Sequence, residues 1–473
     1  MRTRFCVITT LVLLCGVVHG QNNPVPFVNQ PLVPHCAKPG GVGFTLTVYG
    51  TGFAKGAVVD WNGKGRSTKF VSQSELKAKI LASDITHAQT AAVTVVNPKP
   101  GGGRSNVGNF EVVEPHRLAF HSKQFNLSSG DETLYYPTTG DFTGDGKLDL
   151  IGQTVTESDI MVELNKGNGK FGRPILTQIE PAGLGTGVTG DFNEDGILDF
   201  AIINDSNSVA LFLGRGNGKF RAQRSFLTGI NPAWLVAGDF NGDGHLDLAT
   251  INNYDNTISV LLGNGDGTFK THIDSQTSTG PYSMALGDFN QDGKLDLAIL
   301  GDRPGLAIML GNGDGTFTQD YNTSTFFYDV VAEDMNHDGK LDLVGSNGLA
   351  LFILPGKGNG SFGTPRTVWS TGNNNYNIYD VVVADVAGTG ALDLVTFETQ
   401  GYGTPPTYLT VVNATNGHAF QYQVDTGGSE MVADFNNDGR PDVLALGYSS
   451  NSGDYWNEAY IQTSAHPQTR TKH

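Results

Sequence analysis

One acidic loop recurs along the chain at a nearly constant spacing, and it limits what the chain can fold into. The loop first reads GDFTGDGKLDL at 140–150. It returns as GDFNEDGILDF (190–200), GDFNGDGHLDL (238–248), GDFNQDGKLDL (287–297), EDMNHDGKLDL (333–343), ADVAGTGALDL (384–394) and ADFNNDGRPDV (433–443). The first aspartates of successive copies lie 46 to 51 residues apart. A period of this size indicates a solenoid or a propeller, with one supersecondary unit per repeat.

A glycine-rich hairpin signal keeps the same phase as the acidic loop. It reads GNGKF at 167–171 and returns around Gly218, Gly267, Gly315 and Gly360, with a weaker copy, NGHAF, at 416–420. Such Asn-Gly and Asp-Gly pairs favour tight turns between antiparallel strands.

Together the two signals divide each repeat into four strands, which the third repeat predicts at 234–240, 245–251, 257–262 and 268–273. Four antiparallel strands make one blade, so the predicted fold is all-β: a seven-bladed β-propeller preceded by a small sandwich. An open β-solenoid is the alternative, although its repeats are usually shorter.

The two ends of the repeat region predict how the ring closes. The seventh repeat has strand patterns near 430–435, 441–447 and 456–463, but no fourth strand follows them. Residues 117–127 are strand-like and belong to no repeat of their own. We therefore expect this segment to complete the seventh blade, which would remove an exposed sheet edge.

Residues 24–113 lack the acidic repeat and differ from it in sequence pattern, and they form the predicted N-terminal domain. Phe44, Leu46 and Val48 alternate with polar residues, and similar alternation returns around residues 76–80 and 93–95. About seven short strands within this length predict an immunoglobulin-like β-sandwich. The propeller is assigned to 114–464 and a polar tail to 465–473.

The spacing D-x-N-x-D-G-x-x-D gives the acidic loop the chemistry of a calcium site. Calcium takes six to eight oxygen ligands, and a loop supplies them by wrapping around the ion. Counting from the first aspartate, positions one, three, five and nine carry the side-chain oxygens, and position seven can offer its carbonyl. The predicted ligands in six loops are Asp141, Thr143, Asp145 and Asp149; Asp191, Asn193, Asp195 and Asp199; Asp239, Asn241, Asp243 and Asp247; Asp288, Asn290, Asp292 and Asp296; Asp334, Asn336, Asp338 and Asp342; and Asp434, Asn436, Asp438 and Asp442.

The sixth loop, 385–393, departs from this pattern. Ala387 and Thr389 replace the side chains at positions three and five, which leaves only Asp385 and Asp393 as carboxylates. We expect that site to be empty or weak, so about six structural Ca²⁺ sites are predicted. Magnesium is the main competitor, but it demands a stricter octahedron.

Both regions resemble known families. The segments GGVGFTLTVYGTGF, VVDWNG and AAVTVVNPKPGGGRSNVGNFEV resemble IPT/TIG immunoglobulin-like domains. The acidic loops resemble FG-GAP/VCBS repeats, which also form the propellers of integrin α-subunits. The resemblance implies structural calcium within the blades and a spacer or interaction role for the N-terminal domain.

The N-terminus and the composition indicate export. Arg2 and Arg4 precede an apolar run from Phe5 to Val18, which reads as a signal peptide over residues 1–20; a retained anchor or lipid attachment at Cys15 are the alternatives. Cys36 is then the one cysteine of the mature chain, interpreted as a small buried apolar residue, with a reactive thiol as the alternative. The net charge of −17 argues against a nucleic-acid partner. We expect a secreted, periplasmic or cell-surface protein with no membrane span in the mature chain.

The predicted function is a non-catalytic binding or adhesion module for an extracellular protein or polysaccharide. Exposed aromatic side chains in variable stretches are the candidate contacts, with blade packing as the alternative role: Tyr135, Tyr136, Tyr254, Tyr282, Phe326, Phe327, Tyr328, Tyr376, Tyr379 and Tyr402. His245 and His337 lie inside acidic loops and are expected to be solvated. A carbohydrate-active enzyme such as a polysaccharide lyase, and a purely structural envelope component, are the alternatives.

Overall fold

The structure is a computed structural model that describes residues 22–114, 118, 120–123, 134–154, 159–167, 169–180, 185–205, 207–302, 305–323, 327–372, 377–378, 380–399, 407–424, 429–436, 438, 440–449 and 454–462. The predicted signal peptide and polar tail lie outside these residues. No helix within the described ranges is long and apolar enough to cross a membrane.

Residues 22–114 form two β-sheets around one core. The first sheet has the strand order β1-β3-β7-β6, and the second has β2-β10-β8-β4-β5 with β9 paired to β8. Buried side chains from both sheets, including Val48, Trp61 and Phe110, share one hydrophobic cluster. We call this unit the sandwich. Its strands are β1 (Phe27–Val28), β2 (Cys36–Ala37), β3 (Phe44–Thr51), β4 (Val58–Trp61), β5 (Lys64–Gly65), β6 (Thr68–Ser72), β7 (Glu75–Ile80), β8 (Gln89–Asn97), β9 (Gly103–Arg104) and β10 (Gly108–Val112), with a 3₁₀ turn at Ala82–Ile85.

The described residues from 120 to 462 form a series of antiparallel sheets, as in propeller blades. The strands are β11 (Phe120–Lys123), β12 (Leu134–Gly140), β13 (Asp149–Thr154), β14 (Asp159–Glu163), β15 (Ile175–Gln178), β16 (Gly187–Gly190), β17 (Asp199–Asp205), β18 (Ser208–Phe212), β19 (Arg224–Leu227), β20 (Pro232–Gly238), β21 (Asp247–Asn252), β22 (Thr257–Leu261), β23 (Ile273–Gln276), β24 (Ser283–Gly287), β25 (Asp296–Leu300), β26 (Leu306–Gly311), β27 (Phe317–Thr323), β28 (Asp329–Glu333), β29 (Asp342–Ser346), β30 (Ala350–Leu354), β31 (Arg366–Ser370), β32 (Asn377–Ile378), β33 (Val382–Ala384), β34 (Asp393–Thr399), β35 (Thr407–Asn413), β36 (Ala419–Val424), β37 (Ser429–Ala433), β38 (Asp442–Ser449) and β39 (Asp454–Gln462).

Each repeat contributes one sheet, and its acidic loop joins the first two strands. In the third repeat the order is β20-β21-β22-β23, with Leu235 opposite Thr250 and Ala249 opposite Val260. The predicted fourth strand at 268–273 is wrong in position, because β23 begins only at Ile273. Phe269 instead pairs with Gly263 in an isolated bridge. The residues that directly follow the glycine hairpin are therefore not part of the fourth strand.

The ends of the repeat region meet in one sheet. β11 pairs antiparallel with β39, with Phe120 opposite Gln462, and the strand order is β11-β39-β38-β37. This confirms the predicted pairing for residues 120–123; residues 117, 119 and 124–127 of the predicted strand are not among those described. Phe171 of the first repeat also packs against Phe435 of the seventh, with ring centroids 6.2 Å apart.

Neighbouring repeats pack through the glycine and phenylalanine that flank the first aspartate. A Cβ on Gly287 would lie 2.3 Å from Leu341 Cδ1, which belongs to the acidic loop of the next repeat. Phe289 meets Phe362 of that next repeat edge to face, with centroids 5.8 Å apart. The sequence GDF is therefore an inter-repeat packing motif as well as the start of an acidic loop.

Candidate metal sites in the acidic loops

The acidic loops fold around the carboxylate at position one. In the third loop, Asp239 Oδ1 accepts hydrogen bonds from the Gly242 and Asp243 amides at 2.7 and 3.2 Å, and Oδ2 accepts one from Gly244 at 3.0 Å. The Asp243 amide also donates to Asn241 Oδ1 at 2.8 Å. The side-chain oxygens of positions one and three therefore converge on the inside of the loop.

The same convergence is present in the second, fourth and fifth loops. The amide of position five donates to the oxygens of positions one and three at distances between 2.9 and 3.1 Å, in the sets Asp191/Asn193/Asp195, Asp288/Asn290/Asp292 and Asp334/Asn336/Asp338.

The side chain at position three and its contacts vary between the loops. In the first loop Asp145 donates its amide to Asp141 Oδ1 at 3.1 Å, but Thr143 offers a hydroxyl instead of an amide oxygen. In the seventh loop, Asn436 Nδ2 donates to both oxygens of Asp442, at 3.2 and 3.1 Å. Asn336 of the fifth loop makes a similar contact, from Nδ2 to Asp342 Oδ2 at 3.4 Å, whereas Asn241 Nδ2 donates to Asp243 Oδ2 at 2.9 Å.

Position nine carries a second role that the sequence pattern did not suggest. Asp247 is fully buried, and its Oδ2 accepts the Phe240 amide at 2.9 Å while Oδ1 accepts the Gly263 amide at 2.7 Å. The carboxylate therefore ties the loop to the end of the third strand. The equivalent pairs of hydrogen bonds are made by Asp149, Asp199, Asp296 and Asp342.

Burial raises the free energy needed to ionise these carboxyl groups. It raises the pKa of Asp247 to about 8 and that of Asp199 and Asp296 to about 7; nearby aspartates add to the shift and the backbone amides oppose it. Within the described chain, no lysine or arginine forms an ion pair with position one or nine of loops two to five. A bound cation would supply the missing positive charge, so the donor set fits a hard divalent ion.

The three aspartates of a loop do not form one tight cluster. Among the described His, Cys, Asp and Glu side chains, only His35, Cys36 and Asp385 place ligand atoms that all lie within 4.8 Å of one another. The structure thus brings positions one and three together, whereas position nine faces backbone amides. Each carboxylate oxygen can still accept more than one interaction.

The sandwich lies against the acidic loops of several repeats. The Val25 amide donates to Asp239 Oδ2 at 2.8 Å, and a Cβ on Gly244 would lie 2.4 Å from the Asn23 carbonyl oxygen. In the fifth loop the Asp334 amide donates to the Gln30 carbonyl at 3.2 Å. This face of the repeat region, which we call the loop face, is partly covered.

The sixth loop meets the sandwich through histidine and cysteine. His35 Nε2 lies 3.4 Å from Asp385 Oδ2. Burial, followed by the Asp385 carboxylate, raises the pKa of the Cys36 thiol to about 12. Cys36 is only half-buried, and its interpretation as a small buried apolar residue missed this cluster, because nothing in the sequence spacing links residues 35–36 to residue 385.

The expectation that His245 and His337 are solvated holds for His337, which is exposed, whereas His245 is only partly exposed. His337 stacks on His35 with ring centroids 5.4 Å apart, and partial burial of the ring lowers its pKa. His245 Nδ1 lies 2.6 Å from Glu194 Oε1 of the preceding loop.

The opposite end of the repeats exposes apolar and aromatic side chains. Tyr254 lies between the second and third strands of its sheet and is 72% exposed, while Ile230, just before β20, is 50% exposed. Tyr328 and Leu349 occupy the matching connections of the fifth repeat and are 43% and 39% exposed. Since strands in each sheet are antiparallel, these connections lie at the end away from the acidic loops. We call this end the free face.

The other predicted aromatic contacts divide into several groups. Tyr136 is exposed, whereas Phe327 is buried and the Tyr282 hydroxyl donates to its carbonyl oxygen. The side chain of Tyr135 is not described, and Phe326, Tyr376, Tyr379 and Tyr402 lie outside the described residues.

Comparison with known proteins identifies FG-GAP-like repeats in this chain. Four overlapping matches cover residues 191–250, 239–299, 288–345 and 334–396, and each begins at the first aspartate of an acidic loop. No curated protein sequence matches the chain.

Two solved structures illustrate the structural similarity. An Agrocybe aegerita lectin described as recognising non-reducing terminal N-acetylglucosamine is 18% identical with a TM-score of 0.44, over 75% of this chain and 94% of the lectin. An auxiliary nutrient binding protein from Bacteroides ovatus is 10% identical with a TM-score of 0.39, over 93% of this chain and 98% of that protein.

Proposed function

We propose that this protein is an exported, calcium-stabilised β-propeller of seven blades that acts as a non-catalytic binding module. Its sandwich is an immunoglobulin-like domain that rests on the loop face. Ligands, which are extracellular proteins or glycans, bind at the free face. The observation that carries the binding role is the exposure of aromatic and apolar side chains on the end that the sandwich leaves open.

Calcium is proposed for six acidic loops, with the side chains at positions one, three, five and nine as ligands. The convergence of Asp239 Oδ1 and Asn241 Oδ1 on the Asp243 amide supports this assignment. The ion would neutralise buried aspartates and hold the first two strands of each blade together. At a calcium concentration a hundred times the dissociation constant, each site would add about 2.7 kcal/mol to stability.

Calcium binding is tested by titrating chelator-treated protein while following heat and melting temperature. We expect about six equivalents and a melting temperature that rises with calcium. Magnesium serves as the control ion and should raise it less. An unchanged melting temperature after chelation would exclude a structural role for the ion.

The free face is suited to stacking and apolar contacts. Tyr254 and Ile230 stand at one blade, and Tyr328 and Leu349 at another, so several contact points lie along the same end of the ring. Exposed tyrosines offer a flat apolar ring and a hydroxyl, which suits both sugar and protein surfaces.

The binding role is tested by probing glycan and extracellular-protein arrays with calcium-loaded protein. The double variant Tyr254→Ala, Tyr328→Ala should lose at least tenfold in affinity for any ligand found, because tyrosine is enriched among hot-spot residues, whose truncation costs about 2 kcal/mol or more. The control Val71→Ala instead removes an exposed apolar side chain from β6 of the sandwich, away from the free face. Depolymerisation of an array polysaccharide would favour the enzyme alternative, and no ligand at all would favour a structural component.

A further inference from the structure

We propose that His35, Cys36 and Asp385 bind one divalent transition-metal ion of the zinc class between the sandwich and the sixth acidic loop. This site goes beyond the proposed calcium loops, and it does not depend on whether those loops bind calcium.

The spacing of the three side chains matches a small tetrahedral ion. Zinc lies about 2.0–2.3 Å from nitrogen, oxygen and sulfur ligands, so neighbouring ligand atoms around it are about 3.3–3.7 Å apart. His35 Nε2 and Asp385 Oδ2 are already 3.4 Å apart. Cys36 Sγ and one ligand atom from each of the other two side chains all lie within 4.8 Å of one another, so the three side chains can supply three corners of a tetrahedron.

The imidazole nitrogen that faces the carboxylate lacks a hydrogen-bond partner. His35 Nε2 is buried and accepts or donates no hydrogen bond within the described part of the chain, and the His35 side chain is only 11% exposed. The facing Asp385 side chain is 2% exposed. A buried polar atom left unpaired costs free energy, and a metal ion at this point would satisfy it.

The groups around the cluster hold two of its ligands in place. The Thr389 amide donates to Asp385 Oδ1 and the Gly390 amide to Oδ2, both at 2.9 Å. The His337 ring stacks on His35 with an interplanar angle of 17°, which fixes the plane of the imidazole. Such outer contacts orient metal ligands and tune their affinity.

The donor chemistry of this loop differs from that of the other six. Ala387 removes the oxygen donor at position three and Thr389 replaces a carboxylate with a hydroxyl, while the sandwich supplies an imidazole and a thiol. Imidazole and thiolate prefer zinc-class ions, and calcium prefers oxygen alone. Binding would release the thiol proton to solvent and leave the fourth position to water. The ion would therefore link the two domains at the one loop that has lost its calcium ligands.

The full-length chain, with its thiol reduced and calcium in excess, is titrated with Co²⁺. Co²⁺ serves as a spectroscopic probe for a zinc site. We expect one equivalent to bind, with a thiolate-to-metal charge-transfer band and tetrahedral ligand-field bands that Zn²⁺ abolishes by competition. Cys36→Ser should remove the charge-transfer band, and His35→Gln should weaken binding by more than tenfold. The matched control His245→Gln replaces another histidine beside a carboxylate and should leave both signals unchanged.

Absence of stoichiometric Co²⁺ binding by the wild-type chain would overturn the proposal, as would an undiminished charge-transfer band in Cys36→Ser. The wild-type titration decides the matter even if a variant fails to fold. A chain that binds Co²⁺ at this site but no calcium would refute the calcium loops while leaving the metal link intact.

Discussion

The backbone amide of Val25 donates a hydrogen bond to Asp239 Oδ2 at 2.8 Å, across the boundary between the sandwich and the third repeat. The bond is buried and joins residues 214 positions apart in sequence. It makes Asp239 both the first residue of an acidic loop and an anchor for the N-terminal domain. The equivalent residue in the second loop, Asp191, accepts amides from Asp195 and Gly196 of its own loop.

This difference predicts that Asp239→Asn and Asp191→Asn have different effects on domain docking. Both variants remove one carboxylate from a loop, but only Asp239→Asn weakens the acceptor for the Val25 amide. A hydrogen bond to a charged group contributes about 1.5–3 kcal/mol, so exchange of the Val25 amide should accelerate roughly tenfold or more in Asp239→Asn. Hydrogen exchange followed by mass spectrometry of the N-terminal peptide measures this. Equal exchange in the two variants would show that the bond does not hold the domain.

Position nine should stabilise the blade whether or not calcium is present. Asp247→Asn places an amide nitrogen against either the Phe240 or the Gly263 amide, and one buried donor loses its partner. We expect the free energy of unfolding to fall by about 1–3 kcal/mol in chelator as well as in calcium. Asp243→Asn is the control, because that side chain is partly exposed and should matter chiefly when calcium is bound. Denaturant unfolding of both variants, in chelator and in calcium, gives the four free energies of unfolding to compare. A loss confined to calcium-loaded Asp247→Asn would contradict the backbone role.

The glycine that precedes each of the first four acidic loops should be coupled to the leucine of the next repeat. Gly287→Ala brings a Cβ to 2.3 Å from Leu341 Cδ1, and relieving that overlap should cost about 1–3 kcal/mol. The cost should shrink in the Leu341→Ala background, because the clashing methyl group is gone. Gly363→Ala is the control, since its nearest atom would lie at 3.4 Å. A double-mutant cycle by chemical denaturation measures the coupling, and additive effects would exclude this contact.

The repeat pattern could be predicted from the sequence because its signals are local. The acidic loop and the glycine hairpin each mark a turn, and the alternation between them indicates the strands. The predicted start of β23 is too early because Phe269 forms an isolated bridge with Gly263 instead of belonging to the strand. Where the strand begins depends on the path of the neighbouring strand, which the local sequence does not reveal. The contact between His35 and Asp385 could not be predicted at all. It depends on how one domain sits on another, and no local signal carries that information.

A buried glutamate in the sixth repeat should make stability depend on pH. Glu398 is 2% exposed, and its Oε1 accepts hydrogen bonds from the Thr410 hydroxyl and, at 2.7 Å, from Gln421 Nε2. Burial raises its pKa, although these two hydrogen bonds oppose the shift. The folded chain therefore holds this proton more tightly than the unfolded chain does. The contribution of Glu398 to stability is full below the ordinary glutamate pKa of about 4.3 and is lost as pH rises through the higher folded-state value.

Glu398→Gln should remove this loss, because the amide keeps an oxygen to accept both hydrogen bonds and carries no charge. The variant should match the wild type in free energy of unfolding at about pH 4 and exceed it at about pH 8. Glu180→Gln, at an exposed position, controls for the loss of one negative charge. Urea unfolding across this pH range gives the difference between variant and wild type at each point. A difference that stays constant with pH would mean that Glu398 ionises as easily in the folded chain as in the unfolded one.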